Sequence, residues 1–128
     1  MAKKILVIDD DPTSNSLVSF LLKANEFDVF VAADGEEGLR RTQTEKPDLV
    51  VLDIMMPKMD GYSFLRELKK TNWQKMPLVI MLTSKDSMQD LFKLEGVSDY
   101  FIKPLDTTKF LRRIKELLVS KEDSAGSS

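Results

Sequence analysis

The sequence predicts an α/β domain built around a parallel sheet, and three observations support that prediction. Five short apolar runs rich in Val, Ile and Leu recur along the chain without alternating with polar residues, which is typical of strands buried on both faces. Segments with a helical spacing of apolar residues separate these runs, and this alternation favours right-handed parallel crossovers. The length of 128 residues matches one domain.

The apolar runs are the predicted strands, and capping residues mark the starts of the predicted helices. The strands are expected at Ile5–Ile8, Val29–Ala32, Leu49–Leu52, Leu78–Leu82 and Tyr100–Ile102. Asp11 precedes Pro12 and is interpreted as the N-cap of the first helix rather than as a metal ligand. The other helices are expected from about Asp34 to Glu45, after Asp60-Gly61, around Met88–Leu94 and from Asp106 onward. Residues 1–119 then form the domain, and the polar segment 120–128 is a tail or the start of a linker.

Composition excludes several kinds of chemistry. The chain has no cysteine and no histidine, which removes thiolate zinc sites, histidine-ligated metals and Ser-His-Asp triads. The formal net charge of −2 gives no reason to expect binding to nucleic acid or to an anionic membrane. No apolar run has the length of a signal or membrane segment, so a cytoplasmic location is expected.

Polar side chains follow four of the five runs, at the edge where ligands bind to a parallel sheet. Asp9 and Asp10 follow the first run, Asp53 follows the third, Thr83 the fourth and Lys103 the fifth. Any one of them could be a turn residue, a cap or a surface charge. Three carboxylates at one edge would repel one another, however, unless a hard cation such as Mg²⁺ neutralises them.

This set of groups predicts phosphoryl chemistry at Asp53. A carboxylate can act as the nucleophile that forms an aspartyl phosphate, and a cation, an ammonium and a hydroxyl suit the charge of a phosphoryl group. We expect Asp9, Asp10 and Asp53 to hold Mg²⁺. We expect Lys103 to neutralise one phosphoryl oxygen and Thr83 to hydrogen-bond another.

Over about residues 3–119 the chain resembles the receiver domain of bacterial two-component response regulators. The resemblance is carried by the stretches ILVIDDDP, PDLVVLDIMMPKMDG, PLVIMLTS and DYFIKP. It implies a flavodoxin-like three-layer fold, with a five-stranded parallel sheet of order 2-1-3-4-5 and five helices.

The resemblance also implies a role for individual positions. Asp53 matches the phosphoacceptor, Asp9 and Asp10 match the acidic pair that binds Mg²⁺, and the backbone carbonyl of Met55 matches a further ligand. Lys103 matches the lysine that binds the phosphate.

A switch is implied at two further positions. Thr83 matches the hydroxyl that moves toward the phosphate, and Tyr100 matches the aromatic that turns inward with it, the alternative being a half-buried strand aromatic. The Lys103-Pro104 bond matches a peptide bond that is often cis. Two departures affect the output surface: the 20 positions from Thr83 to Lys103 are a couple fewer than usual, and Leu105 replaces the commoner phenylalanine.

The implied function is that of a signalling domain that catalyses its own phosphorylation rather than a conventional enzyme. Because the chain has no histidine, the donor is another molecule, normally a sensor histidine kinase or a histidine phosphotransfer protein. Met55 and Lys85, two positions beyond Asp53 and Thr83, indicate slow self-dephosphorylation. The output lies with a partner protein or a further domain, and the last helix either forms a homodimer or, as we prefer, covers the core.

Two other functions are open at this stage. A phosphatase of the haloacid dehalogenase type would use Asp9 as its nucleophile, since Asp9, Asp11 and Thr13 fit its D-x-D-x-T pattern. Against it, no late acidic pair follows an apolar strand after Lys103, and the chain is short for that fold. A degenerate receiver would serve only as a docking module, without phosphorylation.

Overall fold

The computed structural model describes residues 2–54, 59–70, 76–83 and 96–126, with side chains described as far as residue 119. Five strands lie within these residues: β1 (Lys4–Ile8), β2 (Asp28–Ala32), β3 (Leu49–Asp53), β4 (Leu78–Thr83) and β5 (Asp99–Ile102). The helices of the same residues are α1 (Pro12–Ala24), α2 (Gly35–Glu45), α3 (Gly61–Lys70) and α4 (Thr107–Gly126). The helix predicted around Met88–Leu94 lies outside the described residues.

All five strands run parallel in one sheet of order β2-β1-β3-β4-β5. This confirms the α/β fold and the strand order, and each predicted strand boundary agrees within one residue. The register sets Ile8 of β1 beside Leu52 of β3, and Asp53 of β3 beside Leu82 of β4. The carboxyl ends of the three central strands therefore meet at one edge of the sheet.

Alternate side chains of the central strands supply the two halves of the core, one on each face of the sheet. The face covered by α3 buries, among others, Leu6, Ile8, Val50, Leu52, Phe64 and Leu68. The face covered by α1 and α4 buries, among others, Ile5, Val7, Leu22, Val51, Phe110 and Ile114. Burial of this apolar area is the main stabilising contribution, and the packed core lies directly beneath the polar residues at the carboxyl edge of the sheet.

The two edge strands are less buried than the sequence predicted. Continuous apolar runs suggested burial on both faces for every strand, and this is right for β1, β3 and β4. It is wrong for β2 and β5, where Val31 and Tyr100 are exposed. Each of these strands has one neighbour in the sheet, so one of its sides has no strand to cover it.

Caps at the helix starts agree with the sequence analysis. The Asp11 carboxylate accepts hydrogen bonds from the Thr13 N–H and the Ser14 hydroxyl, each at 3.1 Å, which confirms its role as the N-cap of α1.

At the other end of the chain, α4 continues to Gly126 through most of the segment expected to be a tail. The division at residue 119 stays a prediction. Among the described helices, none combines the length and the apolar character that a membrane crossing needs.

Candidate functional site

Three carboxylates meet at the carboxyl edge of the sheet. Asp9 follows β1 directly, Asp10 is the next residue, and Asp53 ends β3. One oxygen atom from each of them lies within 4.8 Å of the others. Asp9 and Asp53 are buried, whereas Asp10 is exposed. Such crowding of like charges is unfavourable without a compensating cation.

The ammonium of Lys103 lies between two of these carboxylates. Lys103 Nζ is 3.2 Å from Asp9 Oδ2 and 3.2 Å from Asp53 Oδ2. Partial burial alone would lower the pKa of Lys103, but attraction to Asp53 and Asp9 outweighs it, so the pKa lies above the ordinary value of 10.5. Lys103 therefore carries its positive charge at neutral pH.

The backbone around Lys103 fixes where its side chain begins. The Lys103 N–H donates a hydrogen bond of 2.8 Å to the carbonyl of Thr83, which continues the pairing of β5 with β4. The Lys103-Pro104 peptide bond is cis, as the sequence resemblance implied. Lys103 thus leaves the sheet at the same edge as the three aspartates.

Both carboxylate oxygens of Asp9 are engaged. Oδ1 accepts a hydrogen bond of 3.0 Å from the Asp11 N–H, and Oδ2 accepts one from Lys103 Nζ. Asp53 shares the same ammonium, so this contact does not distinguish the two carboxylates as nucleophiles. Asp11, the second aspartate of the D-x-D-x-T pattern, instead caps α1 and does not belong to the carboxylate cluster. Its position disfavours the phosphatase alternative, in which Asp9 would attack.

The two residues expected to form a switch lie at different depths. Thr83 ends β4 one residue beyond the partner of Asp53, and it is fully buried. Tyr100 lies on β5 and is 44% exposed, as the alternative of a half-buried strand aromatic describes. The backbone of Thr83 therefore ends β4 at the same edge of the sheet as Asp53, whereas Tyr100 is exposed on the edge strand β5. Met55 and Lys85 lie outside the described residues.

Gly61 contributes to the site in a way that the sequence analysis missed. The sequence indicates only that the third helix follows Asp60-Gly61 and that Gly61 ends a stretch that resembles the family, whereas the Gly61 N–H donates to the Ile54 carbonyl at 2.8 Å. A Cβ atom at this position would lie 2.9 Å from Ile54 Cα and 3.3 Å from the Asp53 carbonyl oxygen. Glycine therefore lets α3 approach the backbone beside Asp53, and a glycine after an aspartate gives no sign of that contact.

An apolar groove of about 530 Å³ opens beside Lys103, between α1 and the segment that precedes α4. Leu17 and Phe20 of α1 line one side, and Pro104 and Leu105 line the other. Leu17 is 66% exposed and Phe20 is 75% exposed, the highest values among the large apolar side chains of the described residues. An exposed apolar surface next to a polar site is typical of a region that another molecule covers.

Comparison with known proteins gives a consistent set of relatives. A family model described as the response regulator receiver domain matches residues 5–115. The alkaline phosphatase synthesis transcriptional regulatory protein PhoP of Bacillus subtilis (strain 168) is 42% identical over 131 residues, which cover 100% of this chain and 53% of that protein. The chain spans about half the length of the curated relatives it matches.

Solved structures show the same architecture. A putative response regulator from Chloroflexus aurantiacus J-10-fl has a TM-score of 0.85 at 26% identity, covering 93% of this chain and 99% of that one. The receiver domain of the Francisella response regulator 1452 has a TM-score of 0.83 at 34% identity, covering 93% and 98% respectively.

Proposed function

This chain belongs to the family of response regulator receiver domains, and from that premise we propose that Asp53 is its phosphoacceptor. The observation that carries the proposal is the position of Lys103 Nζ, 3.2 Å from both Asp53 Oδ2 and Asp9 Oδ2. These partners lie 50 and 94 positions from Lys103 along the chain. Only the fold brings them together, and an ammonium held beside a carboxylate suits the charge of a phosphoryl group.

The acidic cluster fits Mg²⁺ as its cation. Asp9, Asp10 and Asp53 offer carboxylate oxygens within 4.8 Å of one another, and Mg²⁺ binds through one or two carboxylates together with phosphate oxygens. When bound, Mg²⁺ would neutralise negative charge on the carboxylates and on the incoming phosphoryl group. The backbone carbonyl of Met55, outside the described residues, is a proposed further ligand.

In the proposed transfer, a carboxylate oxygen of Asp53 forms a bond to the phosphorus of a donor phosphohistidine while the P–N bond breaks. The electron pair of that bond stays on the ring nitrogen, and the ring, protonated on its other nitrogen, leaves as neutral imidazole. Lys103 donates a hydrogen bond to one phosphoryl oxygen. The buried hydroxyl of Thr83 donates to another, which would also couple its position to phosphorylation and to the inward turn of Tyr100.

Intact-mass measurement after treatment with acetyl phosphate and Mg²⁺ tests the phosphoacceptor. We expect one phosphoryl adduct on the wild-type protein and none on Asp53→Asn, because the amide is not nucleophilic. Asp48→Asn is the matched control, since Asp48 is as buried as Asp53 and lies at the other end of β3, and it should keep the adduct.

Three results would contradict this proposal. The same adduct on the Asp53→Asn variant would place the modification elsewhere. An adduct mapped to Asp9 with turnover would indicate the phosphatase. Failure of the wild-type protein to bind Mg²⁺ and beryllofluoride would indicate a docking module without phosphorylation.

We also propose that the phosphorylated protein loses its phosphoryl group slowly on its own. The support is the side chain of Met55, two positions beyond Asp53, which would shield the acyl phosphate from water. Purified phosphorylated protein should keep its label without a phosphatase, and Met55→Asn should shorten the half-life. Rapid loss that is the same in both proteins would contradict the shielding role.

The partner is proposed to be a sensor histidine kinase or a histidine phosphotransfer protein that seats on the groove beside Lys103. Leu17 and Phe20 offer it an apolar contact next to the site. A panel of purified histidine kinases identifies the kinase that labels the wild type fastest. Phe20→Ala should slow transfer from that kinase and leave labelling by acetyl phosphate unchanged. Met76→Ala, an exposed apolar residue before β4, is the control, and equal slowing in both variants would contradict docking on this groove.

We infer the cellular location of the protein and its output from its family and its relatives. We propose that it acts in the cytoplasm, where the kinase's phosphohistidine would be accessible. The curated relatives are named as transcriptional regulators and extend over about twice the matched length. A further domain that carries the output is therefore proposed alongside a separate partner protein.

A further inference from the structure

Asn15, in the first turn of α1, ties together the ends of two strands. Its side-chain Nδ2 donates hydrogen bonds to the carbonyl of Asp9 at 2.7 Å and to the carbonyl of Ala32 at 3.2 Å. The Ala32 carbonyl also accepts a hydrogen bond of 3.1 Å from the Asp9 N–H. One side-chain amide therefore fixes the backbone at the point where β1 ends and the acidic cluster begins.

Helix formation does not explain why an asparagine occupies position 15, in α1. Asparagine is a weak helix former, since its side chain competes for backbone groups. Its Oδ1 atom is buried and accepts no hydrogen bond from the described residues, an arrangement that is unfavourable in itself. The contribution of this side chain thus comes from its two donated bonds.

These donated bonds restrain the residue that carries the most enclosed carboxylate of the site. The carboxylate of Asp9 is under repulsion from Asp10 and Asp53, whose oxygens lie within 4.8 Å. A freer backbone would let the Asp9 side chain move away from its neighbours. The contact from Nδ2 to the Asp9 carbonyl opposes that movement and keeps the oxygens close enough to share one cation.

We propose that Asn15 is a positioning residue that holds Asp9 in the geometry that binds the cation. The inference rests on the proposed cation site of Asp9, Asp10 and Asp53. Groups that orient metal ligands without contacting the metal change metal affinity by about 10- to 100-fold when they are removed. Asn15 would act in this way through the backbone of Asp9, without touching the cation.

Calorimetric titration of the ion-free protein with Mg²⁺ tests this role. Asn15→Leu keeps the branched shape of the side chain, removes both donated bonds and also removes the buried Oδ1 atom. We expect this variant to stay folded, because leucine is a better helix former, and to bind Mg²⁺ about tenfold more weakly. Asn15→Ala should weaken binding to a similar extent.

Asn25→Leu is the matched control at the C-cap of the same helix. Asn25 Nδ2 also donates to a backbone carbonyl, that of Leu21 at 2.9 Å, but at the end of α1 away from the site. Its substitution should leave the affinity for Mg²⁺ unchanged. The proposal requires the Asn15 variants to lose affinity for the cation without a matching loss of stability. A purely structural asparagine would not produce that result.

The outcomes separate this inference from the cation site itself. If the wild-type protein does not bind Mg²⁺, the proposed cation site is wrong. If the wild type binds and the Asn15 variants bind equally well, only the positioning role is wrong. Equal weakening in Asn25→Leu, or failure of both Asn15 variants to fold, would show that Asn15 acts on stability alone and would also overturn the proposal.

Discussion

Strand β3 carries a buried aspartate near each end, and the two carboxylates have opposite surroundings. Asp48 precedes the strand and Asp53 ends it, and each is 7% exposed. At the amino end, Asp48 Oδ2 accepts a hydrogen bond of 2.8 Å from the Lys4 N–H. At the carboxyl end, Asp53 shares the ammonium of Lys103 with Asp9 and belongs to a cluster of three carboxylates.

The difference shows that burial alone does not distinguish a structural carboxylate from a functional one. The backbone N–H of Lys4 stabilises the buried carboxylate of Asp48, and Asp48 in addition bonds Lys4 and Leu78 through its own backbone. The site around Asp53 instead keeps more negative than positive charge within its described residues. A surplus of like charge in a restricted space is a better sign of function, because its repulsion is relieved when a cation binds.

The largest effect on the stability of the protein is expected from a substitution at the amino end of β3. Asp48→Ala removes a hydrogen bond to a charged acceptor and leaves the Lys4 N–H without it, so the free energy of unfolding should fall by about 2–3 kcal/mol. Urea unfolding measures this change, and calorimetry should show that the affinity for Mg²⁺ is retained. A stability within about 0.5 kcal/mol of wild type would contradict the structural role of Asp48.

The carboxyl-end half of this comparison could be predicted from the sequence, whereas the role of Asp48 was not predicted. The apolar runs gave the strands, and a parallel sheet requires that residues after those runs meet at one edge. The sequence pattern predicts Asp9, Asp53 and Lys103 at that edge, because strand ends are set by the polar residue that stops an apolar run. The capping role of Asp11 followed from its position before Pro12.

Other contacts had no local signal that could predict them. Asn15 is three positions into a helix, and its bonds to the carbonyls of Asp9 and Ala32 depend on how α1 crosses the ends of two strands. Gly61 depends in the same way on how closely α3 approaches β3. The exposure of Tyr100 depends on β5 being an edge strand, which periodicity within the run does not reveal.

A smaller change in stability, and of the opposite sign, is expected from a substitution in the carboxylate cluster at the carboxyl end of β3. Asp10→Asn removes one of the crowded charges, so the ion-free protein should become more stable, by less than about 1 kcal/mol because Asp10 is exposed. The same variant should bind Mg²⁺ at least about tenfold more weakly, a loss of about 1.4 kcal/mol. Thermal unfolding with and without Mg²⁺ measures both effects, since a ligand that binds the folded state raises the melting temperature. Destabilisation of the ion-free protein would mean that the three carboxylates do not strain the site.

The smallest effect expected is the pH dependence that Lys103 contributes. Its pKa is raised above 10.5 by Asp53 and Asp9, against the opposing effect of burial. Below 10.5 the ammonium is charged in both the folded and the unfolded chain, so its stabilising contribution is complete. Above that value the unfolded chain loses the proton first, and the contribution disappears as the pH rises through the folded pKa.

Lys103→Met isolates this contribution in urea unfolding at a series of pH values. The difference in unfolding free energy between the wild type and Lys103→Met should be constant at neutral and mildly alkaline pH, and should shrink above 10.5. Lys103→Arg is the control, because a guanidinium keeps its proton throughout that range, so its difference from Lys103→Met should persist. If the wild type and Lys103→Arg change in parallel with pH, the alkaline loss of stability arises from other groups, and the attraction between Lys103 and the two aspartates is weaker than the 3.2 Å contacts imply.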